Sequence, residues 1–211
     1  MQRRFQMYLS KIILDRRHPS IRQALRDCHD MHRNIQNWFY KPRKDAGILY
    51  RLNCNEKDAA VYVLSEEQPD QSKITNDCMK LVGSREVSDF EGQMTAGKSF
   101  HFSLLTSPCK KVPIGNSKNS RRRFLRMPEE RAEWLQRHAK QSGFQICSIC
   151  EKNEQELHGG QKESGMFIRT VEFEGILKIT DPNIFRHSWE NGIGPEKAYG
   201  MGLLLLVGIE G

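Results

Sequence analysis

No stretch of this 211-residue chain approaches the roughly 20 consecutive apolar residues that a membrane span requires. Nor does an apolar segment follow the charged start Met1-Gln2-Arg3-Arg4, so this start does not read as a secretory signal and a cytoplasmic protein is expected. Metal-ligand patterns are missing too. Of six cysteines (28, 54, 78, 109, 147 and 150) only Cys147 and Cys150 form a C-x-x-C, and no second C-x-x-C or H-x-H stands at a suitable spacing. Reduced thiols are expected, with no metal and no cofactor. The paired carboxylates of a metal-dependent nuclease are also lacking. Acidic residues are in deficit: 33 Lys+Arg face 26 Asp+Glu, a formal net charge of +7. That excess points to a polyanionic partner, nucleic acid ahead of a membrane surface.

The deficit is sharpest between Lys110 and Met127, which holds no acidic residue at all. Lys110, Lys111, Lys118, Arg121, Arg122, Arg123 and Arg126 fall there, in a stretch placed between a strand and a helix. Guanidinium groups in such a tract suit phosphates or the base edges of a duplex stem. A second polar insertion, His158-Gly159-Gly160-Gln161-Lys162, precedes a long strand and reads as a hairpin tip. The ending Gly192-Ile193-Gly194-Pro195-Glu196-Lys197-Ala198-Tyr199-Gly200-Met201-Gly202 sets four glycines around one lysine before the apolar run 203–207. Glycine lets the main chain approach a phosphate backbone closely, and Lys197 adds charge.

Hydrophobic patterning predicts two cycles of alternating strand and helix. In the first, residues 7–14 form a strand, Pro19 opens a helix to about Phe39, and 48–53 with 59–65 make a hairpin. A weak helix over 69–81 and a strand-like piece at 86–90 follow, with Gly92 and Gly97 marking a seam. The second cycle has strands at 98–106, 144–149, 166–179 (interrupted near Glu174-Gly175) and 203–207, with helices at 128–142 and about 182–190. Each half approximates β-α-β-β-α-β. The expected fold is therefore α+β, with two tandem ferredoxin-like, RRM-like domains: 1–94 and 95–211.

On the first helix Ile21, Leu25, Cys28, Met31, Ile35, Trp38 and Phe39 form one apolar stripe. His32 lies roughly 55° from its centre, at the border between core and solvent, with His29 one turn earlier on the same flank and Arg33 pointing away. A half-shielded imidazole is held in one orientation yet reaches a substrate. The same pattern also fits a packed core-edge histidine.

Taken together, the strand Met7-Tyr8-Leu9-Ser10-Lys11, the helix segment Met31-His32-Arg33, Trp134-Leu135-x-Arg137, Phe173-Glu174-Gly175-x-Leu177 with Thr180-Asp181-Pro182, and the terminal glycine motif resemble the CasE (Cse3) family. Its members are CRISPR-associated endoribonucleases of type I-E systems, and the resemblance runs essentially from Met7 to the end. It implies tandem ferredoxin-like domains, a CRISPR repeat RNA stem-loop as substrate, and metal-independent cleavage at the base of the stem. It also implies retention of the mature crRNA and assembly with other Cascade subunits, the isolated protein being a monomer. The family's helix-one histidine maps onto His32, which assists attack of a ribose 2′-OH on the adjacent phosphate. The implied RNA contacts are Lys118, Arg121, Arg122, Arg123, Arg126, Lys162, Arg169 and the terminal loop through Gly192, Gly194, Lys197, Gly200 and Gly202. Two positions depart from the pattern. His29 stands where well-known members carry tyrosine, and Asn37 where at least one has lysine, leaving Arg33, Lys41 and Arg43 as nearby cations. The alternative function is a non-catalytic subunit that holds an RNA stem.

Overall fold

The computed structural model describes residues 6–54, 58–74, 77–113, 120–160 and 165–209. It contains two four-stranded antiparallel sheets with the same internal order. The first is built from β1 (Tyr8–Leu14), β2 (Leu49–Cys54), β3 (Ala59–Ser65) and β4 (Met79–Glu86), ordered β2-β3-β1-β4. The second uses β5 (Ser99–Thr106), β8 (Phe144–Gly159), β9 (Met166–Ile179) and β10 (Leu204–Gly208), ordered β10-β5-β9-β8. In each, the two central strands are the first and third of a βαββαβ unit, the ferredoxin-like arrangement expected from the patterning.

The first crossover holds two helices, α1 (Pro19–Arg26) and α2 (Cys28–Asn37), where one continuous helix was expected. Asp27 separates them. Its extended backbone (φ −127°, ψ 111°) ends α1, and its carboxylate caps α2. Aspartate prefers this N-cap role to a helix interior, because its short side chain satisfies an otherwise unpaired N–H. The apolar stripe survives the break: Ile21, Cys28, Met31, Ile35, Trp38 and Phe39 are all buried.

Three further expectations need correction. Of the helix at 69–81, only α3 (Gln71–Ile74) is observed, and Met79 already starts β4. The strand-like piece at 86–90 is instead the end of β4 followed by α4 (Ser88–Gly92). Since β4 is an edge strand that buries few side chains, its hydrophobic alternation is faint. The basic tract is not a bare connection either. It contributes two antiparallel strands, β6 (Cys109–Pro113) and β7 (Ser120–Phe124), which pair Lys110 with Arg123 and Lys111 with Arg122.

The remaining helices are α5 (Pro128–Gln141) and α6 (Pro182–Asn191). β8 runs on to Gly159, well beyond the expected end at 149, and forms a long hairpin with an uninterrupted β9. The irregularities sit on the β8 side, between Ile146 and Ser148 and between Lys152 and Gln155. Two apolar clusters fill the molecule. One lies within the first unit around Ile12, Ile35, Trp38 and Val61. The other centres on Phe100, Trp134, Phe173 and Trp189 of the second unit, and also takes in Met7, Leu49 and Leu64 of the first. Polar contacts cross the same seam. The buried Arg51 on β2 donates to Ser103 on β5 at 2.6 Å and forms an ion pair with Glu172 on β9.

Candidate active site

Helix α2, the terminal glycine loop and the tip of the β8–β9 hairpin meet at one place. Asp27 is the joint. Its Oδ1 accepts the His29 backbone N–H at 2.8 Å, capping α2, and its Oδ2 accepts the Gly160 N–H at 3.2 Å. The hairpin approaches so closely that a Cβ on Gly159 would fall 2.6 Å from Cys28 Sγ and 2.6 Å from His29 Cδ2. Only glycine fits there. Cys28 lies beneath this contact, where burial pushes its thiol pKa up to about 11 and keeps it protonated.

His32 sits one turn along α2, half-buried as its place on the helix face predicts. Its ring centroid is 6.2 Å from that of Tyr199, and His29 is 5.2 Å from the same ring, both in edge-on geometry. Tyr199 closes a 3₁₀ turn, Lys197–Tyr199, inside the glycine loop. The turn is held from the first sheet, where the buried Tyr50 donates its hydroxyl to the Ala198 carbonyl at 2.9 Å. The same turn sets Tyr199 edge-on to the His32 ring. Burial pushes the His32 pKa below its ordinary value, with the charges of Arg43 and His29 acting in the same sense and the Ala198 backbone in the opposite one. The imidazole is thus neutral at pH 7, the form that accepts a proton.

The four loop glycines all have φ between +76° and +85°. At Gly200 a Cβ would also lie 2.9 Å from Cε2 of Tyr50. Gly200 and Gly202 are buried, and the Gly202 N–H is spent on the Leu105 carbonyl at 2.9 Å. These two glycines therefore shape the loop. Gly192 and Gly194 are half-buried, against Leu49 and Trp134 respectively. Lys197 extends its ammonium to the Asn191 carbonyl at 2.7 Å, and burial, with Arg43 nearby, lowers its pKa.

Arg121, Arg122, Arg123 and Arg126 are exposed on and beside β7. Arg122 bridges to Glu196 of the glycine loop at 2.8 Å, so the β6–β7 hairpin lies alongside the site. Arg169 is on β9, stacked over Phe167 at 5.5 Å and paired with Glu156 at 3.0 Å. Arg33 is exposed and ion-paired with Asp30 at the rim of a recess that also borders His29, His32 and Gly160. Lys118 and Lys162 lie outside the described residues. Among the described residues no group of three His, Cys, Asp or Glu side chains is placed to hold a metal ion.

Sequence reasoning missed Tyr199 as the partner of both histidines. Its signal was slight: it is the one aromatic residue of the glycine motif, and nothing local ties it to α2. Asp27 and Gln36 were missed as well. The Gln36 amide accepts the Arg43 N–H at 2.7 Å and donates to the Lys41 carbonyl at 2.9 Å, pinning the following loop to the helix one turn beyond His32.

A family model described as CRISPR associated protein matches residues 7–207. The CRISPR-associated endoribonuclease Cse3 of Thermus thermophilus is 24% identical over 214 residues, covering 94% of this chain and 98% of that protein. The CRISPR system Cascade subunit CasE of Escherichia coli is 28% identical over 211 residues, covering 95% and 98%. Among solved structures, Thermus thermophilus Cse3 bound to an RNA representing a pre-cleavage complex aligns with a TM-score of 0.85 at 24% identity, over 96% of this chain and 100% of that one. Cas6e from Escherichia coli aligns with a TM-score of 0.75 at 23% identity, over 96% and 100%. Likeness at these identities speaks to the shared fold.

Proposed function

The chain belongs to the CRISPR-associated protein family of the CasE and Cse3 type, and on that premise we propose that it is an endoribonuclease that cuts CRISPR repeat RNA at the base of a stem-loop. The observation that carries this reading is His32: half-buried on α2, edge-on to Tyr199, and bordering a recess shared with His29, Arg33 and Gly160. The RNA brings its own nucleophile, so the protein's work is alignment, proton transfer and charge stabilisation. His32 takes the proton from the ribose 2′-OH as the 2′-oxygen bonds to the adjacent phosphorus. The bond from phosphorus to the 5′-oxygen breaks, and a proton passes to that oxygen. The products are a 2′,3′-cyclic phosphate and a 5′-OH, with no water consumed.

Division of the chain at 94/95 assigns the histidines to the first half and the exposed arginines and glycine loop to the second. A stem lying along the β6–β7 hairpin would place its base near α2, with phosphate contacts dominating because A-form RNA presents its base edges poorly. The retained crRNA and the other Cascade subunits are the proposed partners, in the cytoplasm; no helix of the described residues is long and apolar enough to cross a membrane.

Incubating the protein with repeat RNA in EDTA tests this reading. Cleavage by the parent protein, lost in His32→Ala while RNA affinity stays, is the expected result. Equal affinity with no cleavage by either protein favours the stem-holding subunit instead.

A further inference from the structure

Phe167 takes no part in either apolar cluster. It is 48% exposed, whereas Val171 and Phe173 further along β9 are fully buried. Strand pairing explains the difference. β5 lies beside β9 only from Val171 to Lys178, so the stretch before it is flanked by β8 alone. There His158 faces Phe167 across the hairpin, their ring centroids 5.4 Å apart. The Arg169 guanidinium lies over the Phe167 ring, 5.5 Å from its centre, and is tethered to Glu156 at 3.0 Å. A single exposed aromatic needs no explanation. A phenyl, an imidazole and a guanidinium gathered on one two-stranded ribbon are a platform.

The platform is fixed beside the site. The next residues along β8 are the ones that dock on α2: Gly160 donates its N–H to Asp27, and Gly159 packs too tightly on Cys28 and His29 to admit a side chain. His158 also lines a cavity of about 910 Å³ together with Lys11, Arg26, Tyr62 and Tyr199. The cavity thus joins the platform to Tyr199, whose ring is edge-on to both histidines. Lys11 and Arg26 are exposed at this cavity, while its glutamates Glu156 and Glu172 are already engaged by Arg169 and Arg51.

We propose that Phe167, with His158 and Arg169, is a stacking site for an unpaired nucleobase on a single strand that leaves the foot of the RNA stem. A flat ring takes the face of any unpaired base, and cations a short way off balance its phosphate. Bases within the stem cannot use it, because they are already stacked on one another. The proposal rests on the nuclease reading above and adds a part of the substrate that lies outside the stem. The strands 5′ and 3′ of the stem share this chemistry, and the test separates them.

The full chain and its Phe167→Ala and Phe167→Tyr variants are titrated with three RNAs made uncleavable by a 2′-deoxy substitution. These are the repeat stem-loop alone, the stem-loop with its 5′ flank, and the stem-loop with its 3′ flank. At least one flank should tighten binding by the parent protein about 5- to 150-fold, the worth of one base–aromatic stack. Phe167→Ala should lose most of that gain, with the bare stem-loop bound as before and the thermal midpoint unmoved, and Phe167→Tyr should keep it. 2-Aminopurine placed in the flank should be quenched by the parent protein and not by Phe167→Ala. Flanks that add nothing, or a gain undiminished in Phe167→Ala, overturn the stacking site and leave the nuclease reading intact. If the bare stem-loop is not bound at all, the nuclease reading falls. The flank alone, as an oligonucleotide carrying 2-aminopurine, then decides the stacking site, and no quenching by the parent protein overturns it.

Discussion

Two arginines flanking the start of β2 show how differently one protein treats the same side chain. Arg51, at the seam between the two units, is 5% exposed, and each of its donor nitrogens reaches Asn53, Ser103 or Glu172. Burial alone would push the Glu172 pKa up, but the Ser103 hydroxyl and the Arg51 charge outweigh it and hold the carboxylate ionised. Arg43 is also withdrawn from water, yet its Nε has no partner and its pKa is lowered by that burial. A buried cation with a full set of partners joins structure to structure. One that lacks them leaves a buried donor unsatisfied, at a cost the fold carries.

The contrast can be tested from its structural side first. Arg51→Ala should destabilise the protein by about 2–3 kcal/mol, because Glu172 is left charged and partly buried without its partner. Urea unfolding measures this, and Arg51→Met combined with Glu172→Leu should recover most of the loss. If Arg51→Ala proves neutral, the seam pair is not the anchor its contacts suggest. Saturated cleavage by the folded fraction should be unchanged.

Gly200→Ala probes the wall between the two regions. The new Cβ meets the Tyr50 ring on a left-handed backbone, so a loss of about 1–3 kcal/mol is expected, along with slower cleavage as Tyr199 shifts. Unfolding and single-turnover assays on the same variant separate the two effects. Normal stability and rate would mean that the loop tolerates repositioning.

The exposed arginines offer a third environment. Replacing Arg121, Arg122 and Arg123 with Gln should weaken RNA binding and flatten its dependence on salt, the logarithmic slope falling by about one for each phosphate no longer neutralised. Cleavage at saturation should hold, since surface charges steer and bind but do not touch the reacting atoms. A smaller effect is expected from pH. His32 acts as a base when neutral, and its pKa is depressed, so the rate should climb with pH through a midpoint below the ordinary histidine value of 6.5. Removing the Arg43 charge should move that limb to higher pH.

Much of this site was legible in the sequence, and what was not has a physical reason. The placing of His32 at the border of an apolar stripe followed from helical periodicity, which is a local property and survived the break at Asp27. The break itself carried a local signal, an aspartate ahead of three polar or small residues, which the longer stripe masked. The positive charge of residues 110–126 was visible, but its folding into a β-hairpin was not, because alternation is hard to see when both strand faces are solvated and basic. The glycines of the terminal motif were found, but the packing role of Gly200 and Gly202 was not. They make room for Tyr50 and for the turn, and so place Tyr199. Contacts such as Tyr199 with His29, or Asp27 with Gly160, join residues separated by most of the chain. No spacing rule reaches that far, and only the packing of the two units brings them together.

The central claim is that this protein cuts RNA with the RNA's own 2′-oxygen, helped by His32. Mass spectrometry of the cleaved ends, in EDTA, compares repeat RNA with the same RNA carrying a single 2′-deoxy substitution at the stem base. The account predicts a 2′,3′-cyclic phosphate from the first, none from the second, and none from either with His32→Ala. Cleavage of the deoxy RNA at the same position, or a product lacking the cyclic phosphate, would contradict it.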